Sequence, residues 1–294
     1  MGIFGIPIQA FLGQLLLGLV NGSFYAMLSL GLAVIFGLLG IVNFAHGALY
    51  MIGAYVAWGC LEYAGLNFWA ALVIAPVLVG ALGVLIERTL LRQLYRIDPI
   101  YGLLLTFGLA LIAEGIFRDQ FGVSGQQYPV PELLQGATNL GFMVLPNYRA
   151  FVVLASLVVC LVTWYVIERT RLGSYLRAGT ENPALVQAFG VNVPMMVMLT
   201  YAGGAGLAAI AGVLAAPVIQ ITPLMGSNLI IVVFAVVVIG GMGSILGSIL
   251  TGLVLGIIEG LTKVFYPEAS SIVVFVIMAI VLVIRPAGLF GKER

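Results

Sequence analysis

The chain has 294 residues, 62% of them hydrophobic and 8% charged, with a formal net charge of +1 and a mean hydropathy of +1.19. That composition excludes a soluble globular domain, and the balanced charge leaves neither a basic face for nucleic acid nor an acidic one for a cationic partner. Uncharged apolar stretches recur from end to end near the ~20 residues that cross a hydrocarbon core of ~30 Å, without the alternation of a membrane barrel. The expected fold is all-α: a polytopic membrane protein of about eight to nine spans, two of its helical segments broken by glycine, with residues 1–294 forming one transmembrane domain.

Spans are expected at 9–37, 48–62, 68–87, 101–117, 149–167, 195–216, 229–260 and 271–285. No Lys or Arg precedes Arg88, so no usual signal peptide is expected. In the first span Asn21, Tyr25 and Ser29 recur at four-residue spacing and share one face, suited to lining a cavity or to hydrogen bonding between helices.

The next feature is the most telling. Residues 40–58 carry Asn43 and His46, the only histidine, inside an apolar stretch. Polar groups in hydrocarbon cost several kcal/mol when unsatisfied, so such a break must face other protein or a water-filled cavity. Two roles stay open for Asn43 and His46: capping backbone groups freed at the break, and lining a transport pathway. Thr106 in the fourth span is a fainter pathway candidate.

Glu87, Glu114 and Glu259 are candidates for an ion-coupled mechanism, because acids in membrane spans are functional by default. All three lie near span ends and read equally well as interfacial groups. Cys60 and Cys160 fall in or beside separate spans, and no disulfide is expected between them. One His and two Cys cannot build the usual metal or nucleophilic sites, so neither catalysis nor a metal is expected.

Residues 168–194 form a loop with a short helix. Asn182 suits an N-cap, Pro183 the first helical position and Gly190 the stop, predicting a helix of about seven residues over 183–189. It would carry Leu185 and Phe189 four residues apart on one face. That face either packs on the ends of its own spans or docks into another protein.

Residues 229–260 would run about 48 Å as one helix, too long for one upright span and too short for two of about 30 Å each. Gly240, Gly241, Gly243 and Ser244 mark a break between two short helices. After it Ser248, Gly252, Gly256 and Gly260 make a small-residue stripe suited to helix packing. The pattern resembles that at 24–62 and suggests an internal repeat.

The twelve cations divide unevenly. Arg88, Arg92 and Arg96, Arg169, Arg171 and Arg177, and Arg285, Lys292 and Arg294 would share one side, leaving Arg118, Arg149 and Lys263 on the other. By the positive-inside rule the larger group and the C-terminus are cytoplasmic. No P-loop occurs, and Lys263 and Lys292 are the only lysines, so the chain is not expected to hydrolyse ATP.

Three segments carry a family resemblance: Gly40-Ile-Val-Asn-Phe-Ala-His-Gly-Ala-Leu-Tyr-Met-Ile-Gly-Ala-Tyr55, the loop from Arg177 through Glu181-Asn182-Pro183 to Phe189-Gly190, and Gly240-Gly-Met-Gly-Ser244 with Leu246-Gly247. Together they resemble the permease subunits of branched-chain amino acid ABC importers, over nearly the whole chain. The resemblance implies a bacterial plasma (inner) membrane protein that binds no cofactor itself. ATP would be bound by two cytoplasmic ATP-binding cassette subunits, alongside a homologous second permease, an extracytoplasmic substrate-binding protein and membrane lipid. Related permeases carry urea or short amides. It also implies a substrate pathway near Asn43, His46 and Gly240–Ser244, and ATPase coupling through Arg177, Glu181, Asn182, Pro183, Leu185, Phe189 and Gly190. A stand-alone ion-coupled carrier would instead need an acid near the midplane.

Single cysteines labelled in intact cells with an impermeant reagent should react at position 125 and not at position 177; the reverse pattern would overturn the orientation.

Overall fold

A computed structural model describes residues 2–3, 6–95 and 97–291. Arg96, Lys292 and Arg294, three of the nine cations assigned to one side, lie outside the described residues. Six helices are long and apolar enough to cross a membrane.

Helix α1 (Ile8–Leu39) and α2 (Ala45–Ala64) flank the break around Asn43, and α3 (Phe68–Thr89), α4 (Pro99–Phe121) and α5 (Asn147–Arg169) follow. Next come α6 (Arg171–Glu181), α7 (Pro183–Ala188), α8 (Val193–Ala215), α9 (Met225–Gly240), α10 (Ile245–Phe265) and α11 (Val273–Ile284). Between α4 and α5 a short antiparallel ribbon pairs Ala137–Asn139 with Val144–Pro146. The face that carries residues 122–146 is called here the loop face. The opposite face carries Arg88, Arg92, Arg169, Arg171, Arg177 and Arg285, and is called the basic face.

The expected break in 229–260 is a reversal of direction. Gly240 packs on Gly247, and Ala235, Val236 and Ile239 share a core cluster with Leu255, so α9 and α10 form an antiparallel hairpin. Helix α9 gains length by starting at Met225, and Ser244 caps α10, its Oγ accepting from Gly247 N at 3.1 Å. The segment therefore runs to one face in α9 and back in α10.

Helix α1 is the central post, and its partner along nearly its whole length is α10. The small-residue stripe makes this possible: Gly260 meets Gly18, Gly256 meets Gly22, and Gly252 meets Ala26, backbone against backbone. Without a hydrophobic force between helices in lipid, such close approach is what holds them together.

Helices α2, of 20 residues, and α9, of 16, follow the two interruptions of the helical chain. Residues 40–44 turn back along α4, with Ile41 against Gly102 and Phe44 hydrogen-bonded to Thr106. Helix α2 then starts beside Leu28 and Gly31 in mid-helix α1 and runs to the loop face, where Tyr55 and Trp58 stack on Phe121. Helix α9 starts beside α2, with Gly226 against Gly47, and runs the other way to the basic face. The motif of helix, break and second helix in α1–α2 thus recurs, inverted, in α8–α9. The resemblance between 24–62 and 229–260 has a different basis, since the latter is a hairpin.

Helix α6 was not anticipated by sequence. It folds back under α5 at Gly173, which lies too close to Ile167 O for any side chain.

At Gly256 an added Cβ would sit 2.2 Å from Gly22 Cα. Gly256→Val should therefore cost about 3 kcal/mol through overpacking. Gly115→Ala, in an open position of α4, should be neutral or stabilising by up to about 1 kcal/mol. Thermal unfolding in detergent compares the two, and equal midpoints would contradict the packing assigned to α10.

Candidate functional site

The residues proposed for a pathway fall in three places. The first is the break before α2. Asn43, His46 and Thr106 are fully buried. Thr106 Oγ1 accepts from Phe44 N at 3.2 Å and is placed to donate to Leu103 O at 3.0 Å or Val42 O at 3.3 Å. Asn43 Nδ2 donates to Tyr201 OH at 3.1 Å. His46 Nε2 lies 3.1 Å from Leu28 O; a carbonyl only accepts, so the hydrogen is on Nε2. Asn43 Oδ1 and His46 Nδ1 have no partner among the described residues. Buried polar atoms are nearly always paired, so these two acceptors stand out.

The second place is the α1–α10 seam. Ser29 Oγ reaches Ala26 O and Ser248 O at 3.1 and 3.2 Å. Tyr25 OH donates to Glu259 Oε2 at 2.6 Å, and Glu259 also pairs with Lys263. The face that carries Tyr25 and Ser29 is therefore engaged with α10, while Asn21 is half-buried. The third place is the α9–α10 turn at the basic face. Gly241 packs on Gly288 and Gly291, Gly243 on Gly37, and Phe290 N donates to Gly240 O at 3.1 Å. The turn residues Gly240, Gly241, Gly243 and Ser244 thus pack on α1, α10 and residues 288–291.

Sequence reasoning missed a buried polar chain beneath the break. Glu87, read as interfacial, is 2% exposed and accepts from Tyr95 OH at 3.0 Å. Burial first, and then the Glu87 carboxylate, push the Tyr95 hydroxyl well above its ordinary range, so it remains a donor. Tyr201, Asn43's partner, is fully buried and within electrostatic reach of the same carboxylate. The available signal was a lone tyrosine in the apolar span 195–216. Glu114, in α4, accepts from Ser227 at the start of α9 at 2.7 Å and pairs with Arg118.

The coupling segment is a helix pair. Arg177 and Glu181 lie on α6, where Arg177 pairs with Glu168 at 3.2 Å. Asn182 Oδ1 accepts from Leu185 N at 3.0 Å, Pro183 opens α7, and Gly190 ends the segment at φ 84°. Val186 packs inward. Leu185 and Phe189 point away from the spans, 54% and 79% exposed, so the apolar face does not close on its own domain.

Broken helices around buried polar groups, with an unpartnered apolar helix on the basic face, define a membrane transport component. The family model described as branched-chain amino acid transport system / permease component matches residues 14–282, and the chain belongs to that family. It is 30% identical to the high-affinity branched-chain amino acid transport system permease protein BraD of Pseudomonas aeruginosa, covering 98% of each chain. It is also 30% identical to the corresponding LivH of Escherichia coli, over 97% of this chain and 96% of that one. LivM of Escherichia coli matches at 28%, over 92% of this chain and 68% of the relative. No solved structure matches. The protein is a multi-pass membrane permease component rather than an enzyme.

Thr106→Val should cost about 1–3 kcal/mol, because it leaves Phe44 N–H buried without an acceptor. Thr106→Ser should retain stability. Thermal unfolding of both variants checks this, and an unchanged midpoint for Thr106→Val would show that the break needs no side-chain acceptor.

Proposed function

We propose that this chain is one of two permease subunits of an ATP-driven importer that moves branched-chain or related amino acids into bacteria across the plasma (inner) membrane. The near full-length likeness to permeases named for branched-chain amino acid transport carries the reading. The match to both LivH and LivM supports a second, homologous permease as partner. In this reading the basic face and C-terminus are cytoplasmic, by the positive-inside rule, and the loop face receives a substrate-binding protein.

The chain binds no cofactor itself; ATP sits on two cytoplasmic ATP-binding cassette subunits. Their work reaches the membrane by contact, through α6 and α7, with Phe189 as the anchor in an ATPase groove. The substrate is a zwitterion with an apolar side chain, so it requires a few polar anchors in an otherwise apolar passage. Asn43 Oδ1 and His46 Nδ1, buried and without partners, are the acceptors available for that role when the break opens.

Buried aromatic anchors dominate interface energy, so Phe189→Ala should weaken docking by about 2 kcal/mol or more. Asn182→Ala should cost about 1 kcal/mol through the lost cap. In reconstituted complexes, Phe189→Ala should abolish most stimulation of ATP hydrolysis by the binding protein. Unchanged ATPase association and stimulation would overturn the assigned coupling role.

A further inference from the structure

Outside the pathway and the coupling helix, an apolar groove of about 380 Å³ lies between α5 and α8, walled by Val162, Gly203 and Leu207, with Val34 of α1 also lining it. Leu172 and Leu176 of α6 line it as well. A smaller cavity of about 100 Å³, around Glu168, Arg177 and Thr180, shares Val34, Ile167, Leu176 and Thr200 with it. From Met196 to Leu207 the groove follows α8 for about 16 Å, close to half of a hydrocarbon core of about 30 Å. It is one leaflet deep, apolar within and polar at one end.

The surroundings of that end have the chemistry of a lipid headgroup layer. Tyr165 and Tyr175 are exposed, and the Arg169 guanidinium lies over the Trp164 ring, 5.8 Å from its centroid. Amphipathic aromatics with basic side chains mark the depth of the membrane–water boundary. Arg177 and Glu168 line the adjoining cavity and are paired with each other, and Arg169 and Arg171 flank Thr170 at the junction of α5 and α6. A guanidinium has five N–H donors; Arg177 Nη1 serves Ile167 O and Glu168 Oε2, which leaves other donors for an anion. A protein partner is the rival occupant, but the cores of protein interfaces are depleted of charge, whereas this end gathers it.

We propose that the groove is a binding site for an anionic phospholipid, one acyl chain lying between α5 and α8 and the phosphate held by Arg171 and Arg177. The site depends neither on the transported substrate nor on which face is cytoplasmic. It also gives α6 a role: Leu172 and Leu176 rest on the acyl chain, and α6 leads directly through Asn182 into α7. A bound lipid therefore sets the height of the helix that carries the coupling segment.

The test uses the purified full chain in nanodiscs of equal phosphatidylglycerol and phosphatidylethanolamine, released and weighed by native mass spectrometry. The protein should retain phosphatidylglycerol over phosphatidylethanolamine by about fivefold or more, as expected for at least one arginine acting on an anionic lipid. Arg171→Gln should reduce that preference about fivefold without reducing total retained lipid. Gly203→Leu should lower retained lipid to background, since an added Cβ there meets no atom within 4 Å and the side chain enters the groove. Val162→Trp fills the groove from the facing wall and should do the same. Equal retention of the two lipids, or undiminished retention in both filling variants, would overturn the proposal. So would cross-linking of Gly203→Cys to the second permease in the assembled complex, which would assign the groove to a protein interface.

Discussion

Buried backbone groups must find partners within the protein, and this chain leaves helical geometry at the buried positions Asn43 and Ile221. The two breaks are satisfied in parallel ways. In the first, α4 supplies the Thr106 hydroxyl to both Phe44 N and Val42 O. In the second, the segment after α4 supplies a strand-like bridge, with Gln126 and Ile221 exchanging backbone hydrogen bonds at 2.9 and 3.0 Å. Helix α4 and the residues that follow it are thus the common support for both interruptions. The helices that follow them, α2 and α9, start against each other through Gly47 and Gly226 and run to opposite faces.

Glycine sets the second condition. Helices in lipid have no hydrophobic drive to associate, so their contact energy depends on close approach. The α1–α10 seam reaches that approach through facing glycines on both helices. Polar residues then fix its register at two heights: Ser29 against Ser248 O, and Tyr25 against Glu259.

Beneath the first break lie two buried polar pairs, Asn43 with Tyr201 and Glu87 with Tyr95. An unpaired buried carboxylate is costly, and Glu87 is accommodated by the hydroxyl of Tyr95, at the connection between α3 and α4. On the basic face α6 and α7 stand on the ends of α5 and α8, with the apolar groove behind them.

Local, one-dimensional signals made much of this legible. Apolar runs located the spans to within a few residues, and Asn182, Pro183 and Gly190 located α7, because capping depends on residues three or four apart. The stripe from Ser248 to Gly260 identified a packing face for the same reason. Sequence could not say which helix that stripe meets, since the partner glycines lie more than two hundred residues away. Nor could it distinguish a kink from a reversal at Gly240–Ser244, because glycine permits both and packing against α1 and residues 287–291 decides. Glu87 read as interfacial because it precedes Arg88; its burial comes from Tyr95 and Tyr201, supplied by other segments. The sequence alone determined the membrane class, the helical periods and the caps. Tertiary structure alone decided the opposed directions of α2 and α9, the sealing of Asn43 and His46 and the exposure of Phe189, because burial in a membrane protein is set by which helices meet.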